Sequence, residues 1–162
     1  MVMYVKGDAT KPQGDGKKII AHVCNDEGGW GAGFVLALDR MSPLPRISYL
    51  QEYKYWTKNE GLTFIPLGLI QVVSAGHANP DVEVCNMIAQ HRTIRNVPKP
   101  ICYKSLEVAL TRLAEEAIEK NATVHMPRIG CGLAGGDWNV VESIINRTLT
   151  LRDVDVTVYD LP

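Results

Sequence analysis

His22 closes an apolar run, 18–24, and stands three residues ahead of Asn25, where the loop Asn25-Asp26-Glu27-Gly28-Gly29-Trp30-Gly31-Ala32-Gly33-Phe34 begins. An imidazole titrates near ~6.5, so at neutral pH it can act as acid, base or transient phosphate acceptor. The competing reading is a strand histidine hydrogen-bonded in the core. A second loop, Pro127-Arg128-Ile129-Gly130-Cys131-Gly132-Leu133-Ala134-Gly135-Gly136-Asp137, follows another apolar run, 122–126, and opens a helical pattern. Glycine admits positive φ and lets a ligand approach without meeting a Cβ atom. The helix N-terminus beyond each loop adds unpaired N–H groups and the positive end of a dipole, which suit phosphate oxygens. One such loop reads equally as a plain turn between strand and helix. Two of them fit the two rims of one cleft for a phosphorylated ligand. Asp137 is placed to cap the second helix, and its other oxygen is available to orient His22 or a water. No Gly-Lys-Ser/Thr closes either loop, and Gly28, Gly29, Gly31 and Gly33 do not make Gly-x-Gly-x-x-Gly, so a standard P-loop or Rossmann site is excluded.

The elements that must position these residues alternate along the chain. Strand patterns fall at 3–6, 18–24, 68–74, 82–89, 123–127 and 155–159. Helical patterns fall at 35–38, 48–59, 105–121 and 138–149. In 105–121, Leu106, Ala109, Leu110, Leu113, Ala114, Ala117 and Ile118 form the predicted buried face, with Asn121 as the stop. In the last helix Val140, Val141, Ile144 and Ile145 are predicted inward. Tyr49, Tyr53, Tyr55 and Trp56 read as exposed aromatics, a partner surface or a layer on the sheet. Such alternation predicts an α/β sandwich around a mixed sheet, with both glycine loops at C-terminal strand ends. At 162 residues and 46% hydrophobic, with net charge −1, the chain suits one domain over 1–162, and nothing global points to nucleic acid. No apolar run reaches the ~20 residues of a membrane span, and the start of the chain lacks a signal peptide's apolar core. Cys24, Cys85, Cys102 and Cys131 form no C-x-x-C pair, which points to reduced thiols in a cytoplasmic protein and away from zinc.

Four segments in order then resemble a macrodomain, the module that binds ADP-ribose: Val5-Lys6-Gly7-Asp8-Ala9-Thr10, the glycine loop at 28–33, Gly130-Cys131-Gly132-Leu133, and Val156-Thr157-Val158-Tyr159. Ala21-His22-Val23-Cys24-Asn25-Asp26 and the stretch 126–138 resemble its small stand-alone branch. That branch includes ADP-ribose 1''-phosphate phosphatases and terminal ADP-ribose glycohydrolases. The resemblance implies a three-layer α/β/α fold, a monomer, no cofactor or metal, and ADP-ribose or ADP-ribosylated macromolecules as partners. It implies that Asp8 accepts the adenine amino group and that the Ala9 N–H meets a ring nitrogen. Gly29, Trp30, Gly31, Ala32, Gly33 and Phe34 would wrap the diphosphate together with Ile129, Gly130, Cys131, Gly132, Leu133 and Ala134. Asn25 would hold the distal ribose hydroxyls. Tyr159 would pack on the adenine face or serve as an ordinary strand aromatic.

The glycohydrolases of that branch use a lysine and an aspartate that this chain replaces. The aspartate's place is Ala134, and the lysine's region reads Ile88-Ala89-Gln90-His91-Arg92, with Lys99 too far on. Neither glutamine nor alanine is a nucleophile or general base near neutral pH. The expected reaction is therefore metal-free hydrolysis of ADP-ribose 1''-phosphate, with His22, Asp137, Asn25 and Gln90 as the catalytic set. The alternatives are an ADP-ribosyl hydrolase acting on protein or nucleic acid, and a reader without turnover. The stretch 84–106 holds no acid but carries His91, Arg92, Arg95, Lys99 and Lys104, charge-assisted donors for a terminal phosphate or a solvated surface. Cys131 is read as a binding-loop residue rather than a nucleophile.

Overall fold

Ten elements alternate along the chain: β1 (Val2–Lys6), β2 (Lys18–Asn25), α1 (Phe34–Met41), α2 (Leu44–Lys54), β3 (Ile70–Ser74), β4 (Val82–Gln90), α3 (Tyr103–Lys120), β5 (Thr123–Met126), α4 (Trp138–Thr148) and β6 (Val156–Asp160). The computed structural model describes residues 2–92, 100–132 and 134–162. A π-helical turn, Tyr55–Asn59, prolongs α2. The sheet runs β1-β6-β5-β2-β4-β3, every pairing parallel except β3 on β4. This is the mixed sheet that the alternation predicts, with strand bounds within two residues of those read from the sequence.

Alternation along β2 and β4 divides the core. Ile19 and Ala21, with Cys85, Met87 and Ala89, pack against Leu106, Leu110 and Leu113 of α3 and Val141 and Ile144 of α4. Ile20 and Val84 face Leu38 of α1, while Cys24 and Ile88 face Tyr49 of α2. Helices therefore cover both faces, as the three-layer fold requires. Each fully buried leucine or isoleucine adds about 1.5–3 kcal/mol of apolar transfer. Asn121 takes the left-handed conformation (φ 53°) that ends α3, and Asp137 caps α4 by accepting from the N–H of Asn139 at 2.9 Å.

Two burial expectations fail. Each i+4 step turns a helix about 40° further round, so Ile118, last of the row 106-110-114-118, has left the inner face and is exposed. Val140 lies about 100° from Val141 and is exposed as well. Of the two readings of the aromatics at 49–56, Tyr49 takes the layer on the sheet: it is fully buried between α2 and the strands, against Cys24 and Ile88, with its hydroxyl bonded in the first glycine loop.

Candidate functional site

The first loop is built around Asn25 and Tyr49. A bulge at Cys24/Asn25 ends the regular pairing of β2 with β4. The Asn25 Oδ1 accepts from the N–H groups of Glu27 and Gly29, both at 3.0 Å, while its Nδ2 donates to the Gly29 carbonyl at 2.7 Å. This is an Asx-type turn closed on itself. The Tyr49 hydroxyl donates to the Asn25 carbonyl (2.7 Å) and accepts from the Gly28 N–H (3.0 Å). Burial drives the Tyr49 phenol well above its ordinary range, so it stays a neutral anchor. The Tyr53 ring lies under Gly28, where a Cβ would come within 2.9 Å of it. Beyond, Gly33 (φ 77°) stands at the N-cap of α1 with no side-chain cap; the Leu36 N–H turns back to the Gly33 carbonyl at 3.1 Å, and among the described residues those of Phe34 and Val35 are left for a guest.

The second loop folds on its own backbone. Gly136 donates to the Gly130 carbonyl at 2.7 Å and Gly135 to that of Gly132 at 3.1 Å, while the Ile101 N–H holds the Ala134 carbonyl at 3.2 Å. Gly130 has φ 71°, and a Cβ there would meet Ile101 at 2.9 Å. Arg128 braces the start of the loop. Its Nε and Nη2 donate to Asp160 at 2.7 and 3.0 Å, and its guanidinium lies 5.1 Å from both the Tyr4 and Trp138 ring centres.

Between the loops lies a cleft of about 950 Å³ across the C-terminal ends of β5, β2 and β4. Asn25, Gly29, Trp30, Gly31, Ala32, Gly33 and Phe34 line one side, and Ile129, Gly130, Gly132 and Ala134 the other, with Gln90 at the β4 end and Arg128 at the β5 end. These cradle residues share one space, whereas Cys131 is not among the described lining. Leu133, Arg95 and Lys99 lie outside the described residues. A smaller hollow of about 550 Å³ runs over Lys104, Val108 and Arg112 on the outer face of α3, away from both loops.

The predicted chemical residues fare differently. His22 belongs to the set Ile20, His22, Cys24 that faces α1 and α2, so its ring does not project into the cleft mouth. It is 2% exposed and forms part of the floor. Its Nε2 is 2.6 Å from Oδ1 of Asn86, whose Nδ2 donates to the Pro45 carbonyl and to Gln71 Oε1. The Asn86 oxygen must therefore accept, and His22 is the donor. Burial pulls its pKa down to about 4, against the bond to Asn86, so it is a poor base and cannot readily carry a proton. Its ring stands perpendicular to that of Trp30, with centres 5.4 Å apart, which makes it a support for the loop. Asn25 lines the cleft, but its Oδ1 is taken up by the turn it closes. Asp137 is exposed, engaged as a cap, and absent from the described lining, so the structure does not bring it to His22. Gln90 does line the cleft, donating from Nε2 to the Arg92 carbonyl at 3.1 Å.

At the β1–β6 side, Asp8 Oδ1 accepts from the N–H and hydroxyl of Thr10 at 2.8 and 2.7 Å, and Oδ2 is left outside those bonds. Burial raises the Asp8 pKa, but the two Thr10 bonds together with the Lys11 and Arg40 charges outweigh it and hold the group below its ordinary value. The adjacent Ala9 is buried. Tyr159 is 3% exposed; its hydroxyl accepts from the Gln13 N–H at 2.8 Å and bonds His125 Nδ1 at 2.7 Å. Its ring sits behind Gly7 as a strand aromatic rather than offering a free face to a base. The Cys131 thiol is pushed up by burial and by Asp137, which keeps it protonated and makes it a poor nucleophile.

The sequence reading passed over Glu27, the one carboxylate among the described lining residues, and its neighbour Asp26. Asp26 is 2% exposed, with Oδ2 2.7 Å from His91 Nδ1 and Oδ1 accepting from the Arg92 N–H at 2.7 Å. Two consecutive acids between a strand and a glycine loop were the available signal. Asp26 needed a partner 65 residues away to be recognised.

Comparison with known proteins matches this architecture. The Macro domain family model matches residues 21–145. A solved macrodomain protein from Streptomyces coelicolor is 46% identical and superposes with a TM-score of 0.82 over 99% of both chains. The chromodomain-helicase-DNA-binding protein 1-like of Mus musculus is 32% identical over 99% of this chain, but the chain spans only 18% of that protein's length. An ADP-ribose 1''-phosphate phosphatase of Meyerozyma guilliermondii is 27% identical, over 94% of this chain and 97% of its own. With the family model covering most of the chain and the two glycine loops facing one cleft, this protein belongs to the Macro domain family.

Proposed function

We propose that this protein binds ADP-ribose between the two glycine loops and hydrolyses a substituent from the anomeric carbon of its distal ribose. The observation that carries the reading is the cleft itself, which is lined by glycine-rich residues of both loops and by the uncapped start of α1. Strands lie ~4.8 Å apart, so the Asp8 turn beside β6 and Gln90 on β4 stand roughly 14 Å or more apart across the sheet. That span accommodates a base at one end, a pyrophosphate between the loops and a second sugar at the β4 end. Asp8 Oδ2 is the acceptor for the adenine amino group.

Glu27 takes the catalytic role in place of His22 and Asp137. A carboxylate in the lining can draw a proton from water as the oxygen adds to C1'' and the bond to the leaving group breaks. ADP-ribose 1''-phosphate is the first substrate to test, because a relative matched over almost its whole length is named as its phosphatase. ADP-ribosyl esters on protein are the second. Glu27 favours them, since a lining carboxylate repels a phosphate dianion more than a neutral ester. Product analysis with both substrates, for the wild type and Glu27→Gln, tests the proposal. Loss of turnover with ADP-ribose affinity retained supports it. Full turnover in the variant removes Glu27, and binding without any product leaves a reader.

A further inference from the structure

A cluster just beyond the β4 end of the cleft is left unused by that reaction. Asp26, His91, Arg92 and Phe64 meet there. The Phe64 ring is flanked by the His91 ring, with centres 5.1 Å apart, and by the Arg92 guanidinium, 5.1 Å from the ring centre. Both Asp26 oxygens are already committed, one to His91 Nδ1 and one to the Arg92 main chain. The buried carboxylate thus anchors the Arg92 backbone without pairing with its guanidinium. Among the described residues, Arg92 has no acidic partner within salt-bridge reach.

Arg92 also has φ 62°, a left-handed conformation that an L side chain holds only when its surroundings compensate. Glycine would take that conformation without strain. A charged side chain is presented there at a cost to the backbone, and Asp26 offsets it. The cluster is joined to the cleft by two bonds: Gln90 Nε2 to the Arg92 carbonyl at 3.1 Å, and the Asp26 N–H to the Gln90 carbonyl at 3.0 Å. Gln90 and Glu27, the chain neighbours of His91 and Asp26, are lining residues.

We propose that Arg92, carried on Phe64 and fixed by Asp26, is a specificity residue that receives an oxyanion leaving group at the distal ribose. This rests on the hydrolase reading above and names the chemical class of its substrates. Water adds to C1'', its proton passes to Glu27, and the C1''–O bond breaks with its electron pair on the departing oxygen. That oxygen belongs to a phosphate or to a carboxylate. The guanidinium supplies the positive charge that the Glu27 side of the cleft lacks. A phosphate carries its charge before reaction, whereas an ester develops it only as the bond breaks. The two sources therefore respond differently to loss of Arg92.

The test uses Arg92→Gly, which removes the side chain at a backbone angle glycine accepts, and Arg92→Lys, which keeps the charge. In a Glu27→Gln background, calorimetry compares ADP-ribose with ADP-ribose 1''-phosphate. The phosphate should bind about tenfold tighter with Arg92, keep part of that advantage with lysine and lose it with glycine, while ADP-ribose affinity stays within about twofold. With Glu27 intact, Arg92→Gly should lower kcat for a glutamate-linked ADP-ribosyl peptide about tenfold at little change in KM. An equal phosphate advantage with arginine and glycine, or no such advantage in the parent, overturns the inference while leaving the hydrolase reading standing. Failure of all forms to bind ADP-ribose sinks the hydrolase reading, and the inference falls with it.

Discussion

Alanine at Gly31 or Gly132 separates folding from binding, because the two effects have opposite signs. Neither glycine has a positive φ, and among the described residues a Cβ built on either meets no heavy atom within 4 Å. The fold therefore accepts each methyl group. Reducing the freedom of the unfolded chain should then raise stability by about 0.4–1 kcal/mol. At roughly 2–4 °C per kcal/mol for a chain of this size, Tm rises by about 1–4 °C. The open space that admits the methyl is the space a pyrophosphate needs. A phosphate oxygen must come within ~3 Å of the donating N–H, whereas a methyl carbon keeps its neighbours at about 3.5 Å or more. The ligand is pushed outward by several tenths of an ångström, and a charge-assisted bond worth about 1.5–3 kcal/mol is weakened or lost. Kd for ADP-ribose should rise between about tenfold and a hundredfold.

Gly136→Ala supplies the opposite case. Its Cβ would lie 2.4 Å from the Gly130 carbonyl oxygen, so the second loop must shift as backbone. Overpacking of that kind costs about 1–3 kcal/mol, a fall of roughly 2–12 °C in Tm, and affinity declines with it. Thermal unfolding and calorimetry on the three variants give the comparison. Unchanged ADP-ribose affinity in both Gly31→Ala and Gly132→Ala would refute the placement of the ligand in this cleft. A lowered Tm in those two would refute the account of the loops.

Three further outcomes follow from single contacts. Tyr49→Phe leaves the Gly28 N–H without its acceptor, so it should cost about 1–2 kcal/mol and raise amide exchange at residues 28–30, read by hydrogen-exchange mass spectrometry. Burial holds His22 at a pKa of about 4, and burial with the Lys18 charge holds His125 at about 4, against ~6.5 in the unfolded chain. The unfolded state therefore takes up protons first as pH falls. The stability from each histidine is full above about 6.5 and is lost toward pH 4, roughly 3 kcal/mol for His22, so a Tm independent of pH over that range would contradict the burial argument. Arg128→Lys loses the two-pronged grip on Asp160 and the stacking between Tyr4 and Trp138; because the pair is partly exposed, Tm should fall by no more than about 4 °C while the ADP-ribose Kd rises several-fold by calorimetry.

What the chain discloses locally is what the structure keeps. The two glycine loops, the Asp137 cap and the Asn121 stop depend on neighbours a few residues away, and each lies where the spacing predicts. The face on which a residue stands was less legible. β2 and β4 are apolar on both faces because helices cover both, so their pattern carries no alternation to say that His22 looks toward α1 and α2. Its partner Asn86 is 64 positions away on the neighbouring strand, and Tyr49 meets its loop across 24 positions. Nothing in the spacing of one segment reveals a register set by another.

That division explains why the two loops could be read from the chain and the orientation of the chemical side chains could not. Main-chain cradles need only glycine and a helix start, both written contiguously. Acid–base chemistry needs side chains from separate elements turned into one space, and that turning is decided by packing. His22 has the right atoms at the right end of a strand, yet its neighbours bury it and lower its pKa until it is support for Trp30. Glu27 has a less specialised side chain, but it stands after the bulge at Asn25, where the chain has left the sheet and faces the cleft. In this fold most strand residues are taken by the core, and Asn25 and Gln90 reach the cleft only where β2 and β4 end. The charged side chains proposed to meet a substrate stand just past the strand ends: Glu27 after β2 and Arg92 after β4.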